Sequence, residues 1–542
     1  MVPKLGAREK TFPSRRSVVM SRNGMVATSQ PLAAQAGVRM LLEGGNAIDA
    51  AIAASAALNV VEPMSTGIGG DLFALIYLAG SKRVRALNAS GRSPYAANLD
   101  YFSQRGLREI PLSGMMPVTV PGTVDGWATM LEEHGTMGLP EVLRPAIEYA
   151  EDGFPVTEVI SALWRGSVSL LAAHPSSAKA YLIDGRAPLP GEVFKQPDLA
   201  KTLRMIADGG RDVFYRGEIA EVIIRFSQEN GGLLSLRDFA EHTSTWVEPI
   251  STDYRGYDVY ECPPNDQGLT VLLALNIVEG FDLALMEHNS AEHLHPLIEA
   301  LKLAFADAQE YVADPDFAEI PIGGLLSKAY ADEQRARIDE GRAAGEVLAG
   351  VPPSQGDTVY ITVVDEHRNA VSLMNSLFWG FGSGMVVEGT GICLHNRGAL
   401  FSLDADHRNR LEPHKRPYHT IIPSMVLKDD ELFMSFGVMG GFMQPQGQLQ
   451  VLVNILDFGM NVQSALDAPR FRYVAGRQVS VEEGIGESTR RNLSKRGHEI
   501  VPLETTPMSL GGFGGGQVIM VDPAGVLLAG SDPRKDGFAI GF

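Results

Sequence analysis

Thr358 stands where two kinds of sequence meet. Before it, Val351-Pro352-Pro353-Ser354-Gln355-Gly356-Asp357 has no apolar period; after it, Val359, Ile361 and Val363 alternate with Tyr360, Thr362 and Val364, the pattern of a half-buried strand. The spacing predicts a threonine at an accessible strand edge. A threonine hydroxyl attacks a carbonyl well only when a base takes its proton, and cleavage of the Asp357-Thr358 bond would expose an α-amine on the same residue to serve as that base. Nucleophile and base would then be one residue. Locally, a threonine opening a strand is also ordinary β-propensity, so the rest of the chain has to decide.

Such a residue needs rigid elements around it. The turn Asp365-Glu366-His367-Arg368-Asn369 leads back into Ala370-Val371-Ser372-Leu373-Met374-Asn375, which predicts a hairpin holding Thr358 in place. Upstream, Pro31 to Leu58 reads as helices rich in alanine and leucine, broken at Gly44-Gly45. Behind Ser290 as N-cap, Leu294, Leu297, Ile298, Leu301 and Phe305 recur at helical spacing and stop before Asp314-Pro315. That helix is core, not chemistry. Helical and strand patterns alternate without repeats or low-complexity tracts, an α/β organisation.

Composition bounds the function classes. With 46 basic against 65 acidic residues the net charge is −19, which argues against nucleic acid or an anionic membrane as partner. A chain of 542 residues, 45% hydrophobic, can bury a large core. Cys262 and Cys393 are too far apart in sequence for a metal-ligand cluster or a CxxC pair, and no disulfide framework is indicated. Met1 to Arg22 carries Lys4, Arg8, Lys10, Arg15 and Arg16 without the apolar core of a secretory signal, and no later run reaches the roughly 18 apolar residues of a membrane span. The expectation is a cytoplasmic protein; a mature chain whose signal was removed before numbering began is the competing explanation.

Several separate stretches occur in a characteristic order. Gly45-Asn46-Ala47-Ile48-Asp49-Ala50-Ala51 leads to Val61-Glu62-Pro63, Gly67-Ile68-Gly69-Gly70 and Val120-Pro121-Gly122. Then come Glu299-Ala300-Leu301-Lys302-Leu303-Ala304-Phe305, Asp314-Pro315, the Thr358 strand and Gly382-Ser383-Gly384. Lys415-Arg416-Pro417, Gly440-Gly441, Ala468-Pro469-Arg470-Phe471 and Ser531-Asp532-Pro533-Arg534 complete the series. From about Asn23 to Phe542 the chain resembles the γ-glutamyltransferase (glutathione hydrolase) family. The resemblance implies an αββα N-terminal nucleophile hydrolase sandwich built from two segments, 23–357 and 358–542, after self-cleavage and behind an extension at 1–22. It also implies that Thr358 is the nucleophile, that Ser376 stands where the family has a threonine orienting the nucleophile and its amine, and that Gly440 and Gly441 form the oxyanion hole. Acyl transfer needs preorganised donors where the oxyanion develops, and paired glycines let backbone N–H groups approach a ligand.

The substrate positions depart from the family. Its Asn-Asn-x-x-Asp-Asp-Phe motif, whose acid holds the α-amine of a γ-glutamyl group, reads here His395-Asn396-Arg397-Gly398-Ala399-Leu400-Phe401. Both acids are gone and Arg397 enters, which opposes a cationic amine. The family's carboxylate-binding arginine is displaced to Arg92, two residues before Pro94. Its paired serines are His419 and Thr420, and the asparagine two beyond the orienting threonine is Phe378. An arginine fork suits a carboxylate, so Arg397, with or without Arg92, points to an acyl group that ends in a carboxylate and lacks an α-amine, such as an oxamyl or glutaryl amide. Divergent members similar to oxamate amidohydrolase and cephalosporin acylase share this pattern. The stretch from Phe401 to Lys415 is short beside relatives that carry a lid, which predicts an acyl-enzyme open to water.

The expectation is therefore a self-processing threonine amidohydrolase acting on a small-molecule amide, its two segments held together as a heterodimer, with no metal or organic cofactor implied. The alternatives are a conventional glutathione hydrolase or transpeptidase, and an unprocessed homologue acting as a binding protein.

Overall fold

In the computed structural model, described over residues 16–345, 347, 357–503 and 512–542, two seven-stranded antiparallel sheets stack face to face. The strands in chain order are β1 (Val19–Ser21), β2 (Met25–Thr28), β3 (Asp71–Leu78), β4 (Arg83–Ala89), β5 (Thr245–Val247), β6 (Ile250–Tyr254) and β7 (Tyr257–Glu261). They continue with β8 (Asp357–Val364), β9 (Ala370–Phe378), β10 (Ser424–Lys428), β11 (Glu431–Met439), β12 (Gly515–Val521), β13 (Leu527–Ser531) and β14 (Phe538–Gly541). One sheet runs β14-β2-β8-β9-β3-β4-β5; the other runs β1-β13-β12-β11-β10-β7-β6. Each of these two sheets mixes strands from before and after residue 357, so neither segment builds either of them alone.

Helices cover both outer faces. On the β8 sheet lie α1 (Pro31–Leu42), α2 (Ala47–Val61), α3 (Thr123–His134), α4 (Leu139–Asp152) and α5 (Pro197–Tyr215); on the other lie α6 (Gly268–Val278), α7 (Ala291–Tyr311), α8 (Met443–Leu456) and α9 (Val462–Asp467). The result is an αββα sandwich. The break expected at Gly44-Gly45 separates α1 from α2, and Asn46 caps α2 by accepting from Ile48 N at 2.9 Å while Asp49 accepts from Asn46 N at 2.8 Å, a capping box. Every residue of α2 is buried, and its alanines let α1, α4 and the sheet approach closely; a larger side chain there would cost about 1–3 kcal/mol in overpacking. Ser290 caps α7 as expected, accepting from His293 N at 3.2 Å.

The hairpin expected after Thr358 is β8 and β9, but β8 is not half-buried. Val359, Ile361 and Val363 face the helix layer, while Tyr360 and Val364 face the gap between the sheets. A central strand of a sandwich buries both faces, so its alternation separates two cores instead of core from solvent. The expectation of an accessible strand edge also fails, because Thr358 is 1% exposed. The loop at 351–356 and the terminal stretch 1–15 lie outside the described residues. Among the described residues no helix is long and apolar enough to cross a membrane. Cys262 and Cys393 are both buried thiols.

Candidate active site

The register between β8 and β9 slips where Thr358 lies. Asp357 pairs with Phe378 but Val359 pairs with Asn375, so β9 carries one extra residue at Ser376-Leu377. A bulge re-aims side chains, and here it sets Ser376 Oγ 3.3 Å from Thr358 Oγ1. Phe378 closes the bulge with φ of +79°, a conformation that costs a non-glycine residue of order 1–3 kcal/mol, and its N–H donates to Ser376 Oγ at 2.8 Å. Beneath the bulge, a Cβ on Gly70 would lie 2.4 Å from Ser376 O. Only glycine fits there, the physical reason for Gly69-Gly70 in the sequence.

Arg397 joins this cluster. Its Nη2 donates to Ser376 Oγ at 3.2 Å and its Nη1 to Thr420 Oγ1 at 2.7 Å, and the guanidinium lies 4.5 Å over the Phe378 ring. The two departures Arg397 and Phe378 are thus one arrangement, a cation stacked on an aromatic face. Arg397 is fully buried, and among the described residues it forms no salt bridge to a carboxylate. Burial lowers its pKa to about 9, with the charge of Asp71 opposing, so it stays protonated at neutral pH.

Gly440 and Gly441, with φ of 120° and 60°, make the turn between β11 and α8. Met443 N donates to Gly440 O at 3.0 Å and Gln444 N to Gly441 O at 3.1 Å. Gln267 Nε2 ties the turn to Thr420, donating to Gly441 O at 3.0 Å and Thr420 O at 2.8 Å. Gln444, in the first turn of α8, donates from Nε2 to Thr358 Oγ1 at 3.3 Å. The first turn of α8 thus supplies a side-chain donor to the Thr358 hydroxyl.

Sequence reasoning missed Gln444 and Asp71. The signal for Gln444 was the run Gln444-Pro445-Gln446-Gly447-Gln448, whose three glutamines are all fully buried. Asp71 opens β3 opposite Ser376, and its carboxylate lies 3.3 Å from His395 Nδ1 and 3.1 Å from His419 Nε2. Burial would raise its pKa, but the two imidazoles hold it well below the usual carboxylate range.

Two expected substrate residues are not brought to Thr358. His419 is buried with Nε2 on Asp71, and its backbone is bonded to Asn265 and Gln267; burial, then Arg397, pushes its pKa down to about 3. It is a neutral, satisfied core histidine. Arg92 points away, donating to Thr243 O at 3.3 Å, the carbonyl that Arg416 also contacts at 3.1 Å. Thr420, by contrast, joins through Arg397.

In the uncleaved chain Thr358, Ser376, Arg397 and Thr420 are each at most 1% exposed. The Phe401–Lys415 stretch folds on itself, with Lys415 Nζ donating to Arg408 O at 2.8 Å and Glu412 Oε1 at 3.1 Å. As for metals, His295, Glu299 and His498 bring ligand atoms within 4.8 Å of one another. There the Lys302 ammonium, 2.7 Å from Glu299, already takes the cation's place, and the two imidazoles share a 2.8 Å hydrogen bond.

The family described as gamma-glutamyltranspeptidase matches residues 33–542. A glutathione hydrolase-like YwrD proenzyme of Bacillus subtilis is 42% identical over 97% of this chain and 99% of its own. A glutathione hydrolase proenzyme of Escherichia coli is 36% identical over 97% of this chain and 93% of its own. The crystal structure of a cephalosporin acylase from Bacillus halodurans superposes with a TM-score of 0.92 at 45% identity, covering 99% of both chains.

Proposed function

Because this chain belongs to the gamma-glutamyltranspeptidase family, we propose that it is a self-processing amidohydrolase whose nucleophile is Thr358 and whose substrate carries a carboxylate on its acyl group. The observation that carries the substrate reading is Arg397: a buried guanidinium two hydrogen bonds from the Thr358 hydroxyl, with no carboxylate paired to it among the described residues. A buried cation is costly unless paired, and a substrate carboxylate completes it. Two N–H donors on Ser376 Oγ orient the serine's own proton toward Thr358 Oγ1. Gln444 donates to the same oxygen.

In the proposed reaction, cleavage between Asp357 and Thr358 frees the α-amine. As Thr358 Oγ1 bonds to the substrate carbonyl carbon, its proton passes to that amine, and the backbone N–H groups of Gly440 and Gly441 receive the oxyanion. The proton goes on to the leaving nitrogen as the C–N bond breaks, and water then releases the acyl group. Similarity to a cephalosporin acylase structure supports an amide-cleaving reading, whereas similarity to glutathione hydrolases leaves γ-glutamyl amides as the rival substrates.

The test compares kcat/KM for glutaryl and γ-glutamyl 4-nitroanilides, which differ only in the α-amine. The expected result is equal or better turnover of the glutaryl compound, with Arg397→Leu weakening it strongly. A γ-glutamyl preference above about a hundredfold, or about 2.7 kcal/mol, overturns the amine-independent reading in favour of a conventional glutathione hydrolase.

A further inference from the structure

A buried ion pair stands at the end of β8 that holds Thr358. Lys535 Nζ lies 3.4 Å from Glu62 Oε1, and the two residues are 5% and 0% exposed. Glu62 is held from two sides: Ser29 Oγ donates to Oε2 at 2.6 Å and Ser65 Oγ to Oε1 at 2.8 Å. Ser29 follows Thr28, whose hydroxyl bonds Tyr360 O at 2.7 Å, and Ser65 O accepts from Leu377 N at 3.2 Å. The carboxylate is thus bracketed by neighbours of Thr358 on one strand and of Ser376 on the next.

Lys535 lies in the turn that connects β13 of the opposite sheet to β14 of the β8 sheet. A Cβ on Gly515 would lie 2.7 Å from Lys535 Cγ, and Gly515 pairs with Met439, the residue before Gly440. A Cβ on Gly437 would lie 2.7 Å from the Tyr360 ring. Two residues further along β11, Met439 therefore stands toward the level of Thr358, two residues back along β8. Lys535 and Glu62 converge on this end of the strand from the two chain segments, 358–542 and 23–357.

We infer that Glu62 and Lys535 are a positioning pair for the α-amine that Thr358 acquires on cleavage. Glu62 accepts an N–H of the amine and fixes its direction, while the Lys535 ammonium cancels the carboxylate charge, so that the amine remains an unprotonated base near neutral pH. The inference rests on the reading of Thr358 as nucleophile and base. A carboxylate alone beside an amine favours the ammonium form and raises its pKa by about 1–3 units, which removes the base at working pH. Burying two opposite charges carries a desolvation cost that apolar side chains would not incur; a role at the amine gives the pair a reason to be there.

Other charged groups face the same end. Arg397 is reached through Ser376, with Asp71, His395 and His419 behind it. Asp532, bonded to Gly516 N and paired with Arg470 and Arg534, lies behind β12, and Asp536 is held by Thr157. All are common to the variants below, so a shift between variants reports the pair.

The experiment is kcat/KM against pH for processed enzyme, with whichever of the two anilides is turned over. Lys535→Met, which removes the ammonium beside Glu62, is expected to move the acidic limb up by about one pH unit. Glu62→Gln is expected to move it down. Lys535→Arg and the double variant Lys535→Met with Glu62→Gln keep it in place. Superposing limbs, or shifts of the same sign in both single variants, overturn the proposal. If a single variant does not process, the double decides, since it removes both charges of the pair together: a displaced limb or a folded, uncleaved double overturns the proposal. Residual activity in Thr358→Ala instead defeats the nucleophile reading beneath it, a separate outcome.

Discussion

Gln444 Nε2 lies 3.3 Å from Thr358 Oγ1, while its Oε1 accepts from Ile422 N at 3.0 Å. The backbone donor at Ile422 sets which end of the carboxamide faces the threonine, so Thr358 is met by an N–H and not by a carbonyl. The same helical turn that supplies this donor follows Gly440-Gly441, so one local structure delivers both the oxyanion candidates and a contact to Thr358.

Gln444→Leu is therefore expected to lower the acylation rate by about tenfold to a hundredfold while the protein still folds, as loss of one positioned donor does. Single-turnover measurement on processed enzyme checks this. An unchanged rate reduces Gln444 to a packing residue.

Thr358→Ala should remain a single chain on denaturing gels and be inactive, because in the proposed reaction one hydroxyl serves both self-cleavage and substrate attack. Wild-type protein should give two bands, the smaller beginning at Thr358. Cleavage of the alanine variant at this bond would rule the mechanism out.

Ser376→Ala removes the hydroxyl that receives Arg397 and Phe378 N and faces Thr358. A loss of about tenfold to a thousandfold in acylation is expected, with Ser376→Thr retaining most of the rate. Equal rates for alanine and serine in processed enzyme would remove residue 376 from the site.

His293 reports on acid stability. Burial pushes its imidazole from the ordinary 6.5 down to about 3, and Nδ1 accepts from Asn289 N at 3.0 Å. With the folded pKa depressed, its stabilising contribution is full above pH 6.5 and is lost as pH falls toward 3, where the unfolded chain has already bound the proton. His293→Asn keeps an acceptor but does not titrate. The stability advantage of wild type over this variant should shrink by up to about 1.4 kcal/mol per pH unit across that window. Denaturant unfolding at several pH values measures it, and parallel curves would show that His293 does not titrate as described.

The helix at Ala291–Tyr311, the break at Gly44-Gly45 and the β8–β9 hairpin were legible because periodicity, capping residues and turn residues are local signals. Arg397 was legible as a change of charge in a recognisable motif. The bulge was not, because Ser376-Leu377-Phe378 is unremarkable as a strand and only the pairing with Asp357 and Val359 exposes the extra residue. Nor was the burial of β8, since an alternating strand looks the same whether its second face meets water or a second sheet.

By itself the sequence determined the element types, the family resemblance with the αββα sandwich it implies, and the candidates Thr358, Ser376, Arg397, Gly440 and Gly441, because these follow from residue chemistry and order along the chain. Tertiary structure decided which candidates meet. It joined Arg397 to Ser376 and Thr420, turned Arg92 onto Thr243, bound His419 to Asp71, and brought Gln444 to Thr358 across 86 residues. Side-chain direction depends on strand register, bulges and the stacking of one sheet on another, and these are set by contacts between residues far apart in sequence, which no local pattern records.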